Sequence, residues 1–227
     1  MIKLSETTEG ISNSESIENN IEHSPADIKA SEEIDTFWEN EFQKAHNEAE
    51  FDIYDRLLSD VFDCSEDDIN LRFEITEDIS TALEKFNAMK WNGKDYSEMR
   101  EAISDLVKAI GEGLGLKELP EIRITDSGNQ FGSYNYESNT ITLNQRYFTD
   151  PKELIDTISH ELRHAYQHMK AEHPETLEDM MYRVNFDNYI SPLELPAGGY
   201  LFFTDYYNQY VEVDARAFAN RITEALR

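Results

Sequence analysis

Two histidines four residues apart, His160 and His164, enclose a glutamate, Glu161, in the stretch Ile158-Ser-His-Glu-Leu-Arg-His-Ala-Tyr166. On a helix, residues at i and i+4 stand one above the other, so both imidazoles can reach a single metal ion. Glu161 then lies about 100° round the helix from His160. From there its carboxylate can approach a water that the metal activates without ligating the metal, which is where a general base must stand. The pattern is that of a hydrolytic zinc site, and it has this meaning only if the segment is helical.

The helix must therefore be found in the sequence. Asp150-Pro151-Lys152-Glu153 supplies an N-cap carboxylate, a proline at the first helical position and a glutamate at the third. Leu154, Ile158, Leu162, Ala165 and Met169 recur at three- and four-residue spacing and form a stripe that faces a core, with His160 and His164 on a neighbouring face. The metal pair is expected to line a cleft beside that core. The lone Cys64 excludes both an intramolecular disulfide and a cysteine-based zinc site, and is read as a half-buried structural thiol.

A zinc site needs a third protein ligand. His168 extends the i, i+4 series, but two helical turns put it about 12 Å from His160. A third histidine six residues after the second would extend the motif, but that position is Lys170. The remaining candidate lies in Tyr210-Val-Glu-Val-Asp-Ala-Arg-Ala-Phe-Ala219, a second helical stretch whose alanines allow close approach to the first helix.

HExxH followed by Glu212-x-x-Ala215 and Phe218-Ala219 resembles the gluzincin metallopeptidases. Within them, Glu-Val-Asp-Ala-Arg-Ala-Phe-Ala is similar to the second-helix signature of the ImmA/IrrE-type peptidases of phages and mobile elements, and more weakly to the CAAX-type prenyl proteases. The resemblance covers about residues 118–227. It implies an α+β, zincin-like fold, mostly helical with a small antiparallel or mixed sheet before the HExxH helix, and Glu212 as the third ligand of a Zn²⁺ ion. The CAAX-type pattern has an aspartate directly after the alanine, where this chain has Arg216; the nearby acid is Asp214. Asp214 could orient a ligating histidine through its other ring nitrogen, or replace Glu212 as ligand.

The segment before the helix fits the same order. Residues 121–125 read as a strand, Asp126-Ser-Gly-Asn as a turn, and residues 131–143 as a hairpin turning at Glu137-Ser-Asn-Thr140. In zincins the last strand runs along the cleft and its free edge pairs with extended substrate. The resemblance therefore implies that Thr140, Ile141 and Thr142 bind a peptide backbone by strand addition. Residues 171–208, rich in aromatics with interspersed Pro and Gly, are expected to form a helix near 177–184 and then a wall of the cleft. Gluzincins commonly supply a tyrosine or histidine to the oxyanion; Tyr206, Tyr207 and Tyr210 precede Glu212, and Tyr210 is assigned that role.

The rest of the chain bounds these expectations. A net charge of −27 in 227 residues disfavours nucleic-acid binding. With no long apolar run and no apolar signal core, neither a membrane span nor a secretory signal is indicated, so a soluble, cytoplasmic chain is expected. Residues 1–36 are acidic, lack aromatics and read as a disordered tail. Residues 37–117 read as helical over 37–60, 75–89 and 96–114, either as the upper half of a catalytic domain spanning 118–227 or as a recognition module. The reading is a zinc metallopeptidase acting on a protein or peptide, with His160, His164 and Glu212 on the metal and Glu161 as base. The alternatives are a catalytically silent zincin-fold binding or regulatory protein and an exported effector or toxin protease.

Overall fold

Helices and strands follow the order α1 (Glu77–Leu83), α2 (Ala88–Trp91), α3 (Tyr96–Leu114), β1 (Glu121–Thr125), β2 (Gly132–Asn135), β3 (Thr140–Asn144), α4 (Pro151–Glu172), α5 (Leu177–Asp187), β4 (Leu193–Glu194), β5 (Tyr200–Leu201), α6 (Phe203–Tyr207) and α7 (Tyr210–Glu224). The computed structural model describes residues 54, 56–58, 60–194 and 199–226, all of them within the unit Glu50–Arg227. The acidic segment 1–36 and most of the expected helix over 37–60 lie outside the described residues.

Local chemistry accounts for the principal helices. Asp95 and Glu98 form a reciprocal capping box at the start of α3, and Gly115 ends that helix at φ +72°, a conformation that costs a glycine nothing. Asp150 accepts from the N–H groups of Lys152 and Glu153 at 3.0 and 3.2 Å, with Pro151 at the first position of α4. Thr176 and Asp179 cap α5 in the same reciprocal way.

The α+β class expected from the sequence is the one observed. The sheet order is β1-β3-β2, with β3 parallel to β1 and antiparallel to β2. The hairpin turns at the expected place, where Asn139 adopts φ +44° and donates its N–H to the carbonyl of Tyr136. Because β3 is the central strand, Thr140, Ile141 and Thr142 have no free edge. The expected strand addition at those residues is corrected by the parallel pairing of β1, which periodicity within one strand cannot reveal; the edge strands are β1 and β2, and β2 is the one whose backbone reaches Glu161.

One core joins α1, α3, α4, β3 and the C-terminal half of α7, through Ile79, Leu83, Phe86, Trp91, Ile103, Leu106, Ile141, Leu143, Ile155, Ile158, Leu162, Phe218 and Ile222. Residues 77–114 therefore share the core of the HExxH helix. Burying each of the larger of these side chains contributes about 1.5–3 kcal/mol. Trp91 also donates its indole N–H to the carbonyl of Phe148 at 2.6 Å, which ties α2 to the entry of α4. A second cluster, including Val61, Cys64, Tyr182, Val184, Tyr210, Val211 and Val213, packs α5 and the start of α7. Cys64 is buried there, as expected of a structural thiol, and donates to the carbonyl of Asp60.

At Gly132, a Cβ would meet Thr157 Cγ2 at 2.6 Å and the carbonyl oxygen of Thr142 at 3.0 Å. Glycine is what lets β2 lie this close to α4, beside the face that carries Glu161.

Candidate metal centre

The HExxH helix and α7 bring His160, His164 and Glu212 together, with one ligand atom from each lying within 4.8 Å of the others. The two Nε2 atoms are 3.0 Å apart. Glu212 Oε2 is 3.4 Å from Nε2 of His160, and Oε1 is 3.6 Å from Nε2 of His164. Donors about 2.0–2.1 Å from a tetrahedral zinc stand about 3.3 Å from one another, so this spacing fits a zinc-sized ion without rearrangement. Glu212 is buried, yet two imidazoles converge on it and Tyr189 donates to Oε1 at 2.6 Å. Burial by itself would raise its carboxyl; the imidazoles and the hydroxyl outweigh that and hold it down at about 2. It stays an anion, as a ligand must.

Four hydrogen bonds fix the start of α7 and with it the placement of Glu212. Asn185 on α5 accepts from the N–H of Val211, and so caps the start of α7 one residue before the carboxylate. The Gln209 amide donates to the carbonyls of Ile190 and Tyr206. Tyr210 N–H bonds the carbonyl of Val61 at 2.9 Å.

Glu161 faces the same space from one residue further along α4. Burial lifts its carboxyl to about 7, the Glu212 charge adds to that, and His164 together with the backbone N–H of Tyr134 on β2 works against it. A carboxyl near neutrality can both take and return a proton at physiological pH.

Asp214 is not at the cluster. Its two oxygens accept from Nε and Nη2 of Arg163 at 2.7 and 2.9 Å, and Oδ2 also accepts from Gln167 Nε2 at 2.7 Å and Tyr182 OH at 3.1 Å. Committed to Arg163, Gln167 and Tyr182, the carboxylate does not join the group of donor atoms that His160, His164 and Glu212 form, so it does not take the place of Glu212 there. Nor does it bond a histidine: Gln167 stands between, its Oε1 2.8 Å from Nδ1 of His164.

Tyr210 is also corrected. Its ring packs 5.7 Å from that of Tyr182 in the second core cluster, where burial and the charge of Asp214 raise its hydroxyl pKa. Two residues of helix, about 200° of rotation, separate it from Glu212, which puts the two side chains on opposite sides of α7. Two other tyrosines take the place beside the cluster. Tyr189 bonds Glu212 directly; burial and the Glu212 charge raise its phenol, and burial with the charges of Glu212 and Glu161 raises that of Tyr206, so both remain proton donors. Tyr207 turns away, its ring 3.5 Å beneath the Arg216 guanidinium.

His168 serves a different surface. Its ring is stacked between Tyr136 and Phe186, with centroids at 4.7 and 3.7 Å. These rings line a cavity of about 570 Å³ that opens from His164 along α4, with Tyr134, Tyr189 and Arg183 on its walls. Sequence reasoning missed Gln167, Tyr189 and Asn185. Gln167, three residues after His164 on the same helical face, is the one whose spacing could have disclosed it.

An α+β fold with two helical histidines and an acid from a second helix is consistent with a zincin-type domain. In agreement, residues 99–194 match the model of the SprT-like family, which is related to the zinc metallopeptidases. The match runs from within α3 to the end of β4, less than half the chain, and stops before the helix that carries Glu212. No curated protein and no solved structure matches the chain significantly. Among the described residues, no helix is long and apolar enough to cross a membrane.

Proposed function

We propose that the protein is a zinc-dependent peptidase of the gluzincin type, with His160, His164 and Glu212 as the metal ligands. The observation that carries this reading is the convergence of three donor atoms, spaced for one ion, beside a glutamate whose carboxyl is raised to about 7. The likeness of Glu212-Val-Asp-Ala-Arg-Ala-Phe-Ala219 to the ImmA/IrrE-type signature supports the same ligand set.

Bound there, zinc would supply Lewis acidity, polarising a carbonyl and making water acidic enough to be deprotonated near neutrality. Glu161 takes the proton of the attacking water and hands it to the leaving amine. Tyr206 keeps its proton and is placed to donate a hydrogen bond to the oxyanion that forms on the carbonyl. The peptide lies along β2, the edge strand whose Tyr134 N–H faces Glu161. The cavity that continues from His164 receives the chain beyond the cleaved bond.

The test is metal content per chain together with hydrolysis of a peptide library. About one zinc per chain, lost in His160→Ala and Glu212→Ala, is expected. Glu161→Gln should keep the zinc and lose hydrolysis. Full activity in Glu161→Gln sinks the assignment of the base, and failure to take up zinc on reconstitution leaves a zincin-shaped binding protein.

A further inference from the structure

Gln167, 0% exposed between α4 and α7, has only one acceptable orientation. Its Nε2 lies 2.9 Å from the carbonyl oxygen of Val211 and 2.7 Å from Oδ2 of Asp214. Both partners are acceptors with no proton to give: one is a backbone carbonyl, and the other is a carboxylate gripped by two N–H groups of Arg163. The amide nitrogen must face them, since a flipped amide would set its oxygen against two other oxygens. The amide oxygen is thereby left facing Nδ1 of His164 at 2.8 Å. An amide oxygen can only accept, so Nδ1 must carry a proton, and a neutral ring then presents a bare Nε2 toward His160 and Glu212.

We propose that Gln167, ordered by the Arg163–Asp214 pair, is a positioning residue that holds His164 in its metal-binding tautomer before any metal arrives. The acid expected to orient a ligand directly acts instead through a neutral amide, one link further out. The same amide binds the carbonyl of Val211, the residue before Glu212, so one side chain governs the proton on one ligand and the placement of the helix that carries another. A consequence follows for the metal-free cluster. With Nε2 of His164 accepting, the 3.0 Å contact makes His160 the donor through its own Nε2–H. This inference rests on the reading of His160, His164 and Glu212 as ligands, and its test separates the two.

Metal-free protein labelled with ¹⁵N-histidine reports the tautomer of each ring through two-bond ¹H–¹⁵N correlations, with His164 assigned by the loss of its signals in His164→Asn. Wild type should show His164 protonated on Nδ1 and His160 on Nε2. Gln167→Met, close in shape but without donor or acceptor, should lose the Nδ1–H preference of His164. It should also bind zinc about 10- to 100-fold more weakly in competition with a chelator of known affinity. Wild-type His164 protonated on Nε2 alone overturns the proposal, whether or not the variant folds. So does a folded Gln167→Met with unchanged tautomer and zinc affinity. If wild type takes up no zinc, the ligand assignment fails by itself, and the tautomer spectrum still decides the role of Gln167.

Discussion

Asp214→Ala strips a carboxylate that is 0% exposed from an Arg163 that is 6% exposed. The guanidinium then keeps one polar partner, the Tyr182 hydroxyl at 3.0 Å, and no opposing charge. Removing one partner of a buried ion pair costs about 3–5 kcal/mol, because the remaining charge is left uncompensated. Gln167 and Tyr182 each lose an acceptor as well, at about 1 kcal/mol apiece. The expected loss is therefore about 5–7 kcal/mol, a large share of the roughly 5–15 kcal/mol that holds an ordinary domain folded. Urea unfolding of the metal-free protein, followed by far-UV circular dichroism, should show a lowered midpoint with an unchanged slope. Because the pair is dry, the loss should be nearly the same at low and high salt. Arg163→Met with Asp214→Leu, which removes both charges, should recover much of the stability. A single-variant loss under about 1 kcal/mol, or a double variant as unstable as the sum of the two singles, would refute the view of this pair as a dry, mutually dependent unit.

Three further outcomes are expected. Gly132→Ala drives a Cβ toward Thr157 and the Thr142 carbonyl; thermal unfolding should show a loss of about 1–3 kcal/mol as β2 is pushed off α4. His168 is held well below its ordinary 6.5, at about 4, by burial first and the neighbouring His164 second. The unfolded chain therefore takes up a proton that the folded chain refuses as pH falls from 6.5 toward 4, and stability is lost across that window. His168→Leu should escape this penalty, gaining at most about 2 kcal/mol relative to wild type between pH 7 and pH 5, as read from urea midpoints at the two pH values. Tyr206→Phe should lower kcat about 10²-fold on any peptide that wild type cleaves, whereas Tyr210→Phe should leave kcat nearly unchanged; equal effects would return Tyr210 to the oxyanion role.

Elements whose cause is local were legible before any coordinates. The N-cap of Asp150 and the apolar recurrence after it determine α4, and the hairpin turn was readable from its turn residues Glu137-Ser-Asn-Thr140, one residue from the observed 136–139. HExxH implies its own geometry once that helix exists, and the Glu212 signature named the acid that the fold brings beside the two imidazoles. Partners that approach from elsewhere in the chain were not legible. The free edge went to the wrong strand because β1 reaches β3 across the hairpin, a pairing with no local sign. Tyr210 stands two residues from Glu212 on one helix, a spacing that already sets them on opposite sides, whereas the placement of Tyr206 on the preceding α6 had no local sign.

By itself the sequence determined which groups can do chemistry: two imidazoles and a carboxylate at helical spacing, and a second helix able to bring another acid. Those are properties of neighbours along the chain, fixed by helical pitch and capping. Tertiary structure alone decided which tyrosines of the 171–208 segment stand beside Glu212, and that Asp214 is spent on Arg163 and Gln167. The reason is that helix rotation and the packing of α7 on α4 are settled by which side chains can be buried together, a choice made across 51 residues of chain between Arg163 and Asp214 and not within either segment.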